Sequence, residues 1–247
     1  MDKSPDLDIR LLPWDTDFFG FRVGAIHSEQ VSVASLKLLK DQMNEQKLRL
    51  CYLTTNHQID EALFSKIGLE YELVDVKTTY EKKIADHPRS SEVLESVHEK
   101  SLSKIDIDSL YRLALTSGEY SRFKIDQKIG YDKFVSLYHL WMENSLNRTI
   151  ADDVLVHRVN GQIAGFVSFA IKDGIGSIGI IAVDENFRGM GIGKALLKNA
   201  EARMKSMELE LLQVVTQGDN KKACAFYEGA GYYTVSQLPY YHIWMNQ

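Results

Sequence analysis

The sequence predicts an α/β protein, with strands and helices alternating and a smaller N-terminal α/β domain preceding the main one. Three observations carry that expectation. Short apolar strands alternate with amphipathic helices along the chain. Asn160-Gly161 marks a tight hairpin, because both central positions of such a turn need positive φ. A glycine-rich turn, Arg188-Gly-Met-Gly-Ile-Gly193, leads from a strand into a helix.

In chain order, Val23–His27 reads as extended, Val33–Met43 as a helix, and Leu48–Thr54 as a short strand. Ile59–Ile67 is predicted helical and ends at Gly68, which can adopt a left-handed cap. Leu73–Tyr80 returns as a strand. From Lys82 to Lys104 the chain turns polar, with Pro88 and the pair Ser90-Ser91, so the expected domains are 1–88 and 89–247. Asp106–Thr116 and Tyr131–Asn147 are predicted helices, with a polar loop containing Ser121-Arg-Phe123 between them. Val154–Val159 and Gln162–Ile171 form the hairpin, and Ile175–Val183 runs into the glycine turn. Ile192, Leu196, Ala200 and Met204 fall on one face of the next helix. Leu209–Thr216 is an apolar strand, Asn220–Glu228 a helix and Tyr240–Met245 a closing strand. "LRLCYLTT…EALFSKIGLEYE" echoes "LELLQVVT…CAFYEGAGYY". A duplicated unit and the common grammar of strand-helix-strand folds account for that echo equally well.

Composition narrows the function classes. With 45% hydrophobic and 26% charged residues, a disordered or collagen-like chain is excluded. The balance of 29 Lys+Arg against 34 Asp+Glu gives −5, which offers no general attraction to nucleic acid or an anionic membrane. An anionic ligand therefore needs a local site. Cys51 and Cys224 suit neither a disulfide framework nor a metal site, and no metal is expected. The charged N-terminus lacks an apolar leader, so a cytoplasmic location is expected.

The glycine turn is the main chemical signal. Successive backbone N–H groups at the start of a helix point outward at the positive end of its dipole, a ready cradle for phosphate oxygens. Two common phosphate motifs fail by position. A P-loop would need glycine where Arg188 stands and Ser or Thr where Ala195 stands. A dinucleotide fingerprint would need glycine at Lys194.

The stretch "GSIGIIAVDENFRGMGIGKALLKNAEARM" resembles the pyrophosphate motif of the GCN5-related N-acetyltransferase (GNAT) superfamily, matching at Arg188, Gly191 and Gly193. "VVTQGDNKKACAFYEGAGY" is similar to that family's next motif, and the likeness extends from about Asp152 onward. It implies a GNAT fold, a mixed, mostly antiparallel central sheet flanked by helices, with the N-terminal domain read as a partial GNAT-like repeat or as an unrelated unit. It also implies acyl-CoA as co-substrate, carrying acetyl or a longer acyl group such as 3-hydroxybutanoyl. Ile181, Ala182 and Val183 would pair with the pantetheine arm. Arg188, Gly189, Met190, Gly191, Ile192, Gly193 and Lys194 would hold the pyrophosphate. Asn220 and Tyr227 would flank the thioester, with Tyr227 as general acid; Asn220 could also be a helix N-cap.

Further pieces are similar to one branch, the acyltransferases of nucleotide-linked amino sugars exemplified by TDP-fucosamine acetyltransferase. They are "LPWDTDFFGF", "EYSRFK", "YHLWMENS", "VVTQGDN" and "FYEGAGY". That branch implies a dTDP-amino sugar substrate, a role in surface polysaccharide such as lipopolysaccharide O-antigen, and compatibility with a homodimer. Phe18, Phe19, Phe123 and Trp141 offer rings to stack, although Phe19 and Trp141 read better as core. Arg122 offers a guanidinium fork for phosphate, and Gln217 falls in a matching position. A sugar amine is less basic than lysine, which agrees with the lack of Asp or Glu in Ile175–Val183. His242 is a weaker candidate for a base. Acetylation of a protein N-terminus, polyamine or antibiotic, and a non-catalytic acyl-CoA sensor, are the rival readings.

Overall fold

The computed structural model describes residues 8–84 and 93–245. Pro88, Ser90 and Ser91, on which the expected boundary rests, lie outside the described residues. Two compact units are present. The first comprises Met1–Lys77, Gln217–Asp219 and Ser236–Gln247; the second comprises Thr78–Thr216 and Asn220–Val235. The units interleave along the chain, where composition places a single cut at 88/89.

In the first unit, β1 (Arg10–Leu11), β2 (Val23–Ser28), β3 (Leu50–Thr55), the end of β10 (Tyr233–Trp244) and the start of β4 (Glu70–Lys83) lie side by side in the order β1-β2-β3-β10-β4. β2 and β3 are parallel, while β10 runs antiparallel to β3 from Tyr240–Thr54 to Trp244–Leu50. Helices α2 (Val33–Glu45) and α3 (Glu61–Ile67) pack together beside the sheet. They bury Leu36, Leu39, Met43 and Phe64 with Cys51, Leu53, Tyr241 and Ile243. A reciprocal cap starts α2: Ser32 Oγ accepts from Ser35 N–H and Ser35 Oγ accepts from Ser32 N–H, satisfying two amides the helix leaves open. Asp60 caps α3, and Gly68 ends it with φ 62° as expected.

Helix α1 (Pro13–Phe19) occupies the segment read from sequence only as an aromatic signature. Proline suits its first turn, because the missing N–H would have had no partner there.

The second unit carries the end of β4 followed by β9 (Leu211–Gln217), β8 (Ile175–Val183), β7 (Gln162–Lys172), β6 (Asp153–Val159) and β5 (Glu95–Ser96). β5 to β8 are antiparallel neighbours, and β8 and β9 are parallel. The hairpin forms at Asn160-Gly161, with φ 50° and 81°. Helix α7 (Ile192–Ser206) sets Ile192, Leu196, Ala200 and Met204 against Val167, Phe169 and Ile178. Helix α4 (Lys104–Ser117) packs on β7, β8 and α6 (Tyr131–Leu146). The expected polar loop contains a single helical turn, α5 (Arg122–Ile125), and α8 (Lys221–Gly229) follows β9. β4 and β10 are longer than the sequence suggests. The closing strand, expected from Tyr240, begins already at Tyr233 and passes through Pro239.

Ion pairs pin the margins of this unit. Glu201, buried on α7, receives both oxygens' worth of contact from Lys82 Nζ at 2.8 and 2.9 Å. Asp153, also buried, accepts from Arg148 Nη2 at 2.7 Å. Arg158 bridges Asp106 Oδ1 (2.8 Å) and Glu95 Oε2 (2.9 Å).

The bonded Arg158 guanidinium holds the Asp106 carboxyl below its ordinary range, with Ser103 assisting and desolvation opposing. A depressed carboxylate pKa means stability that is present above the unfolded-state value and is lost as pH falls through the folded value. Asp106→Asn is therefore expected to flatten the loss of stability on acidification below about pH 4, with wild type and variant converging at the acid end. Denaturant midpoints measured across that range check this; parallel curves would contradict it.

Candidate functional site

The site begins where two parallel strands part. β8 and β9 pair at Gly176–Leu212, Ser177–Gln213 and Ile178–Val214, and their pairing ends there although both strands continue. On its other side β8 stays joined to β7 as far as Val183–Gly165. Backbone groups alternate sides along a strand. Ile180 N–H and Asp184 N–H both point toward β7, reaching Ser168 Oγ (2.9 Å) and Ala164 O (2.9 Å). By alternation Ile181 and Val183 direct their N–H and C=O toward the side β9 has left. Val183 O on that side accepts from Arg188 Nε at 3.3 Å, which agrees with the alternation.

Beyond Val183 the chain makes one 3₁₀ turn at Glu185–Phe187 and enters the glycine segment. Gly189 and Gly191 have φ 80° and 81°, a region costly for side-chain-bearing residues. Among the described residues no atom lies within 4 Å of where a Cβ on either would sit. Gly191 is the N-cap of α7 and brings no side chain to cap it. The first-turn amides of Ile192, Gly193 and Lys194 thus start a helix with no side-chain cap, beside open space at Gly189 and Gly191. Gly193 lies under the ring of Phe226, at 3.4 Å from an ideal Cβ, and close to Val183. Met190 and Lys194 are exposed. Positive φ, the uncapped helix start and nearby cations suit a pyrophosphate.

Helix α8 is fastened beside this turn. Asn220 Oδ1 accepts from Ala223 N–H at 3.1 Å, so it is an N-cap. Tyr227 is 4% exposed and packs among Phe226, Tyr232 and Tyr80. Burial pushes its phenol far above the ordinary value, so the hydroxyl carries its proton across the neutral range. Tyr80, itself buried, donates to Glu228 Oε1 at 2.9 Å, tying β4 to the residue after Tyr227.

The residues expected to meet the acceptor are placed differently. Phe123 is 2% exposed, edge-on to Trp141 at 5.9 Å, so its ring is a support and not an exposed stacking face. The Arg122 guanidinium lies 4.0 Å over that ring. In the first unit, Phe18 stacks on the half-exposed Trp14 at 5.3 Å, and Phe19 is buried edge-on to Phe18. Gln217 is half-buried in that unit. His242 is buried there, against Tyr52 and Tyr240. Sequence reasoning did not find Ser168, Gly179, Phe226 or Tyr80.

Residues 118–232 match the model of the acetyltransferase (GNAT) family. It is similar to the spore coat polysaccharide biosynthesis protein SpsD of Bacillus subtilis (strain 168), at 27% identity over 56% of this chain and 48% of that protein. The chain spans about half the length of the curated relatives it matches. In fold it resembles a functionally unknown conserved protein from Staphylococcus epidermidis ATCC 12228, with TM-score 0.62, 17% identity, and 98% of this chain and 92% of the other covered. It likewise resembles a GCN5-related N-acetyltransferase from Kribbella flavida, with TM-score 0.52, 11% identity and coverage of 92% and 82%. The expected mixed, mostly antiparallel GNAT fold is thus present. Among the described residues no helix is long and apolar enough to cross a membrane.

Gly191→Leu tests the cradle. Its Cβ would project into open space beside the helix start and meet no described protein atom within 4 Å, while the left-handed backbone costs about 1–2 kcal/mol. Affinity for coenzyme A, measured by calorimetry, should fall about tenfold or more through loss of charge-assisted contacts, with only a few degrees' loss of Tm. Unchanged affinity would remove the turn from the site.

Proposed function

We propose that the chain is an acyl-CoA-dependent N-acyltransferase that acylates the amino group of a nucleotide-linked amino-dideoxy sugar, with a dTDP sugar as the leading substrate, in surface polysaccharide synthesis. The observation that carries the reading is the uncapped start of α7 behind Gly189 and Gly191, set at the end of a strand edge that β9 leaves open. The first feature suits a pyrophosphate and the second an amide-bearing arm, which together describe coenzyme A. Likeness to a spore coat polysaccharide protein and the motifs shared with the amino-sugar branch support the acceptor.

Bound acyl-CoA supplies a thioester carbonyl. The neutral sugar amine forms the new C–N bond, the C–S bond breaks, the departing thiolate takes a proton from Tyr227, and the proton released by the amine returns through water to the Tyr227 phenolate. A phenol held protonated by burial is a donor across the neutral range. Arg122, steadied over Phe123, supplies a fork for the nucleotide's phosphates. TDP- and UDP-amino sugars assayed against several acyl-CoAs, with thiol release and product mass as readouts, test the whole reading. Turnover with simple polyamines or peptides but with no amino-sugar nucleotide would replace the acceptor. Coenzyme A binding without turnover on any amine would favour a sensor.

Two variants separate the roles. Tyr227→Phe keeps the packed ring and deletes the hydroxyl, so kcat should fall roughly 10²–10⁴-fold with little change in either KM; a fully active variant would return Tyr227 to the core alone. Arg122→Ala should raise KM for the sugar nucleotide by about 1.5–3 kcal/mol equivalent and leave that for acyl-CoA unchanged, and the reverse pattern would reassign it.

A further inference from the structure

β8 contains one residue more than its partner at a single place. β7 and β8 pair at Phe169–Ile178 and next at Val167–Ile181, so Gly179 and Ile180 together stand opposite Ser168. This is a β-bulge, and a bulge ordinarily leaves part of the ladder without a partner. Here a side chain fills the gap: Ile180 N–H donates to Ser168 Oγ at 2.9 Å. Ser168 is 2% exposed, so no solvent competes for that bond. Position 179 is matched to the same oxygen. A Cβ on Gly179 would lie 2.8 Å from Ser168 Oγ, and the next nearest atom, Ser168 O, would be at 3.6 Å.

We infer that Ser168 is a positioning residue for the open edge of β8, locking with Gly179 the bulge that turns the Ile181 and Val183 backbone toward a bound acyl donor. The inference rests on the acyl-CoA reading above. The inserted residue shifts the alternation of the strand by one, and it falls where pairing with β9 stops at Ile178–Val214. Without the bulge, Ile180 and Ala182 would present their amides to the open side, and Ile181 and Val183 would turn toward β7. Ser168 itself lies on β7, across β8 from that side, and acts only through Ile180.

Three full-length variants test it: Ser168→Ala, Gly179→Ala and the double change. Ser168→Ala should speed hydrogen exchange at the Ile180 amide and weaken coenzyme A binding about tenfold, raising KM for the acyl donor and leaving that of the acceptor alone. Gly179→Ala alone should lower Tm, because its Cβ meets the Ser168 oxygen. In the Ser168→Ala background the same methyl fits, so the double variant should be at least as stable as Ser168→Ala yet still bind coenzyme A weakly. A merely structural serine would have stability and affinity recover together. Wild-type affinity and unchanged Ile180 exchange in Ser168→Ala would overturn the inference, as would a Gly179→Ala penalty independent of residue 168. If the wild-type protein itself bound no coenzyme A, the functional reading would fall, and Ile180 exchange would still decide whether Ser168 holds the bulge.

Discussion

A backbone amide inside a sheet needs a partner, and β8 keeps one neighbour while losing the other halfway along its length. β7 holds the strand straight through to Val183, while β9 departs after Val214. The groups left facing the gap sit at a fixed 3.3–3.4 Å spacing per residue on a rigid strand, which is a better template for an extended ligand than any loop. The elements that follow are placed by the same parting. The glycine turn takes the end of β8 into α7, and Asn220 starts α8 directly after β9. Phe226, set over Gly193, then brings the Tyr227 helix against the turn.

Charge is arranged to match. The chain carries −5 overall, so an anionic ligand meets no general attraction, and the positive potential is local: helix amides, Arg188 and Lys194. Elsewhere in the second unit two buried acids are paired with cations, Glu201 with Lys82 and Asp153 with Arg148. Such pairs add little net stability over apolar packing, because desolvation offsets their attraction. Removing one member, however, strands a charge.

Local features were legible in the sequence. The Asn160-Gly161 hairpin, the helix over 192–206 and the glycine turn each depend on neighbours a few positions away, and each is present. What escaped was set by distant partners. "GSIGIIAV" reads as an uninterrupted strand, since a bulge is a mismatch between two strands and has no signature in one. Phe123 reads as a ring available for stacking, and only the packing of Trp141 shows it covered. Pro239 argues against a strand locally, yet β10 runs from Tyr233 to Trp244. Its pairing with β3 has no local trace at all.

That last pairing bears on how the chain is made. β3 has β2 on one side but lacks its second neighbour until β10 exists, and the bond from Ile59 N–H to the Tyr241 hydroxyl spans 182 positions. At ribosomal speeds of about 5–20 residues per second, β3 waits on the order of 10–40 s for its mate. Through that interval an apolar strand edge, Leu50-Cys-Tyr-Leu53, stands exposed to other nascent chains. The interleaved architecture therefore leaves the first-synthesised unit among the last parts to close.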